Sequence, residues 1–250
     1  MATELRGKCV LITGGGTGLG REIALQLAAE GMRIVISYSK SKNDAEETVQ
    51  ELAQLGVEAC CIQADMREPS EPARLVGEAA AYLGRLDLLI HNAGTTKFIP
   101  FTDLDSVTSE IWDDLNNINT RSAFLLAQAA APIMRKNGGG QIINTSSIAG
   151  LSPAGSSLPY SVSKAALIHL TKCLAKSLAP DIQVNTVAPG LLMTRWVEGF
   201  SEERLNLMSE AALLKKPTDV ADCATAFVML AKNGSITGQV IVVDSGLSLA

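Results

Sequence analysis

Residues 9–31 read CVLITGGGTGLGREIALQLAAEG. The opening CVLIT, 9–13, is too short for a helix and rich in β-branched side chains, so it predicts a buried strand. Glycines 14, 16, 18 and 20 follow at once. Beyond them Ile23, Ala24, Leu27 and Ala28 recur at helical spacing until Gly31 stops the run. Between a strand and a helix, a glycine turn lets backbone approach a phosphate closely, and the free N–H groups of the helix start can receive its oxygens. A tight turn without ligand is the alternative that the string alone leaves open. No Gly-Lys-Ser/Thr closes the loop, which excludes a Walker phosphate loop.

The alternation repeats outward from this unit. RIVIS, 33–37, and ACCIQAD, 59–65, predict strands, and LDLLIHNAG, 86–94, predicts a strand that ends in a glycine turn. Between them lie helices at 45–56, with Val49, Leu52 and Leu55 on one side, and at 72–84. A long helix is expected over 107–136, then strands at 138–147, 182–190 and 239–246, with helices at 159–179 and 217–232. The strands are nearly continuous in apolar residues rather than alternating, so both faces should be covered. The expectation is an α/β protein: a doubly wound parallel sheet of about seven strands with helices on both faces and a crevice at the strands' carboxyl ends. No Pro/Gly/Ser linker divides the chain, so residues 1–250 read as one domain.

Composition narrows the function. With 47% hydrophobic and 19% charged residues, disorder is excluded for the whole chain. A net charge of -5 without a Lys/Arg stripe argues against nucleic acid and anionic membrane as partners. The longest uncharged stretch, 137–163, is too rich in Gly, Ser, Asn and Pro to cross a bilayer. Five cysteines without a CxxC, and only two histidines, argue against a metal site. Glu4 stands where a signal peptide would want positive charge, so a cytoplasmic protein is expected, its thiols buried and reduced.

The candidate chemistry gathers at strand ends. Asp65 and Met66 end the third strand, where Asp65 could accept from an adenine amino group or cap a turn. Asn92, Ala93 and Gly94 end the fourth, and His91 beside them reads as packed rather than catalytic. Ser147 lies just beyond the fifth strand. Tyr160 and Lys164 stand i,i+4 on the following helix and share a face. A neighbouring ammonium favours a phenolate, and a bound oxidised nicotinamide would add to that pull. Ser147 can donate to a carbonyl oxygen while Tyr160 transfers a proton, which suits hydride transfer between nicotinamide and a carbonyl carbon. Ser147 is outside any G-x-S-x-G and neither His suggests a triad, so a serine hydrolase fits less well.

Together these motifs resemble the short-chain dehydrogenase/reductase family, and within it the 3-oxoacyl reductase-like ketoreductases, from Thr13 to Gly246. The family's TGxxxGxG is Thr13 to Gly20, including Thr17 and Leu19; its Asn-Ala-Gly is 92–94; its serine and YxxxK are Ser147, Tyr160 and Lys164. The resemblance implies a Rossmann-type dinucleotide-binding catalytic domain. It implies that Ser147 polarises the carbonyl, Tyr160 is the acid or base, and Lys164 holds the nicotinamide ribose. Asn119 would hold a water leading from Lys164 to solvent. Asn185, Pro189, Gly190 and Thr194 match the segment beside the nicotinamide carboxamide.

In this family an acid near the end of the second strand usually marks NAD. Here Tyr38, Ser39 and Lys40 stand there, so NADP(H) is expected over NAD(H); solvated loop lysines are the alternative reading of Lys40 and Lys42. Residues 191–213 read as a substrate lid, with Trp196 and Phe200 covering the pocket and Leu151, Pro153 and Leu158 as another wall. A ketone or 3-oxoacyl group is the substrate class expected. Alcohol or sugar oxidation with NAD(H), and a nucleotide-binding scaffold with little turnover, are the other readings. The resemblance implies a homodimer or homotetramer built on the helices at 107–136 and 159–179. Ala127, Ala130, Ala131, Ala165 and Ala166 would permit close helix contact there or against the sheet.

Overall fold

The structure is a computed structural model describing residues 4–250. Seven strands form one all-parallel sheet: β1 Cys9–Ile12, β2 Arg33–Tyr38, β3 Ala59–Gln63, β4 Leu88–His91, β5 Gly140–Thr145, β6 Ile182–Pro189 and β7 Val240–Val243. Their order is β3-β2-β1-β4-β5-β6-β7. The order reverses between β1 and β4, so the loops leaving these two strands diverge and open a crevice at their carboxyl ends.

All four residues of β1 are buried. Val10 and Ile12 pack on one layer with α1 (Gly18–Ala29), α2 (Lys42–Gln54) and α8 (Val220–Ala231), through Ile23, Leu27, Leu52 and Phe227. Cys9 and Leu11 pack on the other with α3 (Glu71–Leu83), α5 (Ser122–Lys136) and α6 (Leu158–Leu178), through Leu75, Leu126 and Leu174. A strand with helices on both faces has no solvent side, which is why its sequence does not alternate. No helix among the described residues is long and apolar enough to cross a membrane.

Three expectations change, and one left open is narrowed. The helix expected at 45–56 stops at Gln54, leaving Leu55 51% exposed; its buried side is Ala45, Thr48 and Leu52. The long helix at 107–136 is broken. α4 (Ser109–Asn116), opened by the Thr108 side chain, runs into a single π turn at Asn117–Arg121 before α5 begins. The wider turn brings Ile118 and Asn119 inward, and both are buried. Ala127, Ala130 and Ala131 are buried against the sheet layer, so they do not form an assembly face; Ala165 is exposed and Ala166 half-buried. Of the five cysteines, Cys9 and Cys223 are buried while Cys173 is exposed.

The region after β6 contains a short 3-10 turn at Arg195–Val197 and α7 (Glu202–Ala211). No residue of α7 is buried. Leu191, Val197 and Ala212 are buried and pin the segment at intervals.

Candidate active site

Thr13 ties the two sides of the crevice together. Its hydroxyl oxygen accepts from the backbone N–H groups of Asn92 and Ala93, each at 3.0 Å. The Asn92 amide then donates to the Gly14 carbonyl at 3.0 Å. Gly14 (φ +64°) lies against Ala93, and a Cβ at Gly20 would stand 2.2 Å from the Gly14 carbonyl oxygen. A Cβ at Gly16 would press on Ala45 of α2 at 3.0 Å. The glycines therefore divide their work: Gly16 and Gly20 allow close packing, while Gly14, Thr17, Gly18 and Leu19 face a cavity of about 900 Å³. That backbone cradle at the start of α1 fits the diphosphate of a dinucleotide.

One end of the cavity is bordered by Tyr38, Ser39, Lys40 and Ser41 after β2, and by Asp65 and Met66 after β3. Asp65 caps its own turn, accepting from the Arg67 N–H at 3.0 Å, while still lining the cavity. Asp44 lies in the first turn of α2, where both its oxygens are engaged by the Arg195 guanidinium from the opposite lip. Neither Arg195 nor Arg67 was expected from the sequence.

The other end holds the chemistry. Ser147 sits in extended backbone just past β5, its hydroxyl oxygen accepting from Ala149 N–H at 3.1 Å. Tyr160 stands in the first turn of α6, which the Ser157 side chain opens. Lys164 is one turn on, 3% exposed, and donates to the Thr145 carbonyl at 2.9 Å. Asn119 is held by three hydrogen bonds: its oxygen accepts from Thr95 N–H at 2.9 Å, and its amide donates to the Thr95 carbonyl at 3.1 Å and the Ser163 hydroxyl at 3.0 Å. A Cβ at Gly94 would lie 3.3 Å from the Asn119 oxygen and 3.5 Å from the Lys164 nitrogen. The Asn-Ala-Gly turn, the π turn and α6 thus meet at one point.

Burial dominates the electrostatics. It pushes the Tyr160 phenol up to about 12, opposed by the Ser147 hydrogen bond. It draws the Lys164 ammonium down to about 8. Burial thus opposes the phenolate that a neighbouring ammonium would favour. His91 is buried with Nε2 2.9 Å from the Ser122 hydroxyl, and burial lowers it to about 3, so it is a neutral packed residue as expected.

Trp196 and Phe200 reach the cavity: the Trp196 ring lies 5.9 Å from that of Tyr160, and Phe200 makes an edge contact with Phe98 at 5.1 Å. Pro189, Gly190 and Thr194 also line it. Leu151, Pro153 and Leu158 do not; the wall expected from them is formed by Ser152, Ala154, Gly155 and Ser156. Gly155 takes φ +105°, and a Cβ there would fall 3.4 Å from the Tyr160 ring. Backbone and small side chains form this wall, so a search for large apolar residues passes over it. Asn185 is likewise structural: its amide donates to the Ile236 carbonyl at 2.8 Å, and its oxygen accepts from Gln239 N–H at 3.0 Å.

Comparison with known proteins gives the family. The family model described as short chain dehydrogenase matches residues 8–205. A Streptomyces violaceoruber protein that carries the name ketoacyl reductase 2 of the granaticin polyketide synthase is 37% identical, covering 100% of both chains. A 3-oxoacyl-acyl-carrier-protein reductase of Staphylococcus epidermidis is 36% identical over 96% of this chain and 98% of its own. A short chain dehydrogenase from Burkholderia cenocepacia, solved in complex with NADP, superposes with a TM-score of 0.91 at 32% identity, covering 99% of this chain and 100% of that one. The chain belongs to the short-chain dehydrogenase/reductase family and is an oxidoreductase acting on carbonyl and alcohol groups.

Proposed function

We propose that the protein reduces a ketone or 3-oxoacyl carbonyl to a secondary alcohol, reversibly, with NADP(H) preferred over NAD(H). The observation that carries the coenzyme reading is the lip after β2. Tyr38, Ser39 and Lys40 border the cavity, and the nearest acid in sequence, Asp44, is already engaged by Arg195. A ribose 2'-phosphate would meet hydroxyls and an ammonium there rather than a carboxylate. Two relatives support the substrate class, one named as a ketoacyl reductase and one as a 3-oxoacyl reductase.

The cavity fits a dinucleotide along Gly14, Thr17, Gly18 and Leu19, with Asp65 and Met66 beside one end and Asn92, Ala93, Gly94, Pro189, Gly190 and Thr194 toward the other. The bound coenzyme supplies the hydride. Tyr160, a phenol that burial holds still further from ionising, gives its proton to the carbonyl oxygen, and Ser147 donates a hydrogen bond to that same oxygen. Lys164 places a positive charge beneath the pair, and Asn119 fixes the turn that keeps Gly94 open beside it. Residues 191–213 cover the site as a lid on a single catalytic domain.

The test is the ratio of kcat/KM with NADPH to that with NADH on a ketone panel, at fixed salt, for wild type and Lys40→Ala. Wild type should prefer NADPH, and the variant should lose about 1 kcal/mol of that preference, roughly fivefold. A preference for NADH, or an unchanged ratio, rejects the 2'-phosphate reading.

Assembly and location complete the proposal. Phe124 of α5, Val162 of α6 and Trp112 of α4 are 43%, 40% and 38% exposed, apolar side chains that a homodimer or homotetramer interface would cover, which sedimentation would show. The cytoplasm suits five unpaired thiols, one of them exposed.

A further inference from the structure

Arg204 is a charged residue of the expected lid that lines the catalytic cavity. Of the α7 side chains, Arg204 and Met208, one helical turn apart, border the catalytic cavity. Glu202, Glu203 and Glu210 lie on the other side of the helix, around a shallow surface depression with Asn206 and Leu207. α7 thus separates its charges: the acids border the surface depression, and its one arginine, itself exposed, borders the cavity.

The Arg204 guanidinium is seated on aromatic rings. Its central carbon lies 4.1 Å from the centre of Phe200 and 5.9 Å from that of Phe98, which themselves meet edge to face. Contact of the guanidinium with the rings leaves its N–H donors able to bond elsewhere. Among the described residues, no carboxylate lies within ion-pair distance of it. The other arginine on this lip, Arg195, is consumed by Asp44. A guanidinium oriented by two rings at the mouth of a reaction cavity, its fork unfilled, matches a planar or tetrahedral oxyanion.

Resting on the reductase reading above, we propose that Arg204 is a specificity-determining residue. It selects carbonyl substrates whose body is apolar enough to lie along Phe98, Phe200 and Trp196 and which carry an oxyanion, carboxylate or phosphate, remote from the ketone. The anion engages the guanidinium at the outer end of the cavity while the carbonyl lies at Ser147 and Tyr160. Because Arg204 belongs to the lid, the same contact draws α7 down over the bound substrate.

The experiment uses three aryl ketones of matched length that end in a carboxylate, a phosphate monoester or a primary amide. The readout is each anion's kcat/KM divided by that of the amide, in wild type, Arg204→Lys, Arg204→Gln and Arg204→Glu. The ratio should exceed tenfold in wild type for at least one anion, and whichever anion gives the larger ratio identifies the source. It should survive in part in Arg204→Lys, collapse to near one in Arg204→Gln and fall below one in Arg204→Glu, mainly through KM. A ratio equal in all four proteins overturns the inference. Calorimetric titration of the carbonyl-free analogues into the protein with NADP⁺ separates the two readings. Arg204-dependent binding without turnover of any ketone would reject the reductase reading and leave the anion site standing. Binding of anion and amide alike, in wild type and Arg204→Gln, would reject the site.

Discussion

The Lys164 side-chain nitrogen lies 5.8 Å from the centre of the Tyr160 ring and donates to the Thr145 carbonyl, not to the phenol. The position of Lys164 is therefore fixed by the end of β5 rather than by the phenol. Removing the phenol should leave this anchor intact. Tyr160→Phe should keep the fold and most coenzyme affinity while losing about 10²-fold or more in the rate of reduction. Single-turnover oxidation of NADPH with the best ketone measures it. A rate within twofold of wild type would remove Tyr160 from the chemistry.

The two pKa displacements set an expected pH profile. Tyr160, raised to about 12, stays protonated through neutral pH, so the acid for reduction is present throughout the range from about 6 to 9. Lys164, lowered to about 8, loses its charge as pH rises through that value. The kcat/KM for reduction should accordingly be level at low pH and fall above about pH 8, the falling limb belonging to Lys164. Lys164→Met should show a lower plateau with no break near 8. A wild-type profile that stays level to pH 9.5 would show that the ammonium either survives burial or is not needed.

Two glycines give opposite expectations for the same substitution. At Gly20 a new Cβ would stand 2.2 Å from the Gly14 carbonyl oxygen and 2.6 Å from the Asn92 amide, so Gly20→Ala must part the β1 and β4 loops. It should lower stability by about 1–3 kcal/mol, as overpacking does, and weaken coenzyme binding with it. Gly77, in α3, has nothing within 4 Å of its missing Cβ. Gly77→Ala should raise stability by about 0.5–1 kcal/mol through helix propensity alone, with no change in coenzyme affinity. Denaturant midpoints and NADPH titrations of both variants check the pair; a stable Gly20→Ala that binds normally would refute the close-contact argument.

These positions also show what a sequence can disclose. Gly20 was legible because a strand, a glycine string and a helix are each local signals. Tyr160 and Lys164 were legible because i,i+4 on a helix fixes a shared face. The π turn at 117–121 was not, because one extra residue in a helix carries no compositional mark; its effect, the burial of Asn119 against Thr95 and Ser163, depends on segments 24 and 44 residues away. The pairing of Asp44 with Arg195 spans 151 residues and was beyond any spacing rule. Leu55 misled for the opposite reason: it kept the helical period one residue past the point where the helix ends. The upward displacement of the Tyr160 phenol comes from burial, which a spacing cannot report.

The region 191–213 separates a lid from a fixed wall. Leu191 and Val197 are buried, and Ala212 is buried beyond the far end of α7, yet α7 itself buries no residue. At the cavity the segment's contacts include the cluster of Arg204 and Phe200 with Phe98, and the approach of Trp196 to Tyr160. A segment pinned at its ends, with few buried groups between, opens at a small fraction of the global free energy. Its amides should therefore exchange faster than those of β1 and β6 in the free protein. NADPH adds contacts near Thr194, where the segment leaves the cradle, and should slow exchange there modestly. Substrate or inhibitor fills the space beneath Trp196 and Phe200 and should slow exchange through 200–211 well beyond NADPH alone. Peptide-resolved hydrogen exchange in the free, binary and ternary states gives the answer. Equal and strong protection of 200–211 in all three would make this a preformed wall, with Trp196 and Phe200 serving as packing.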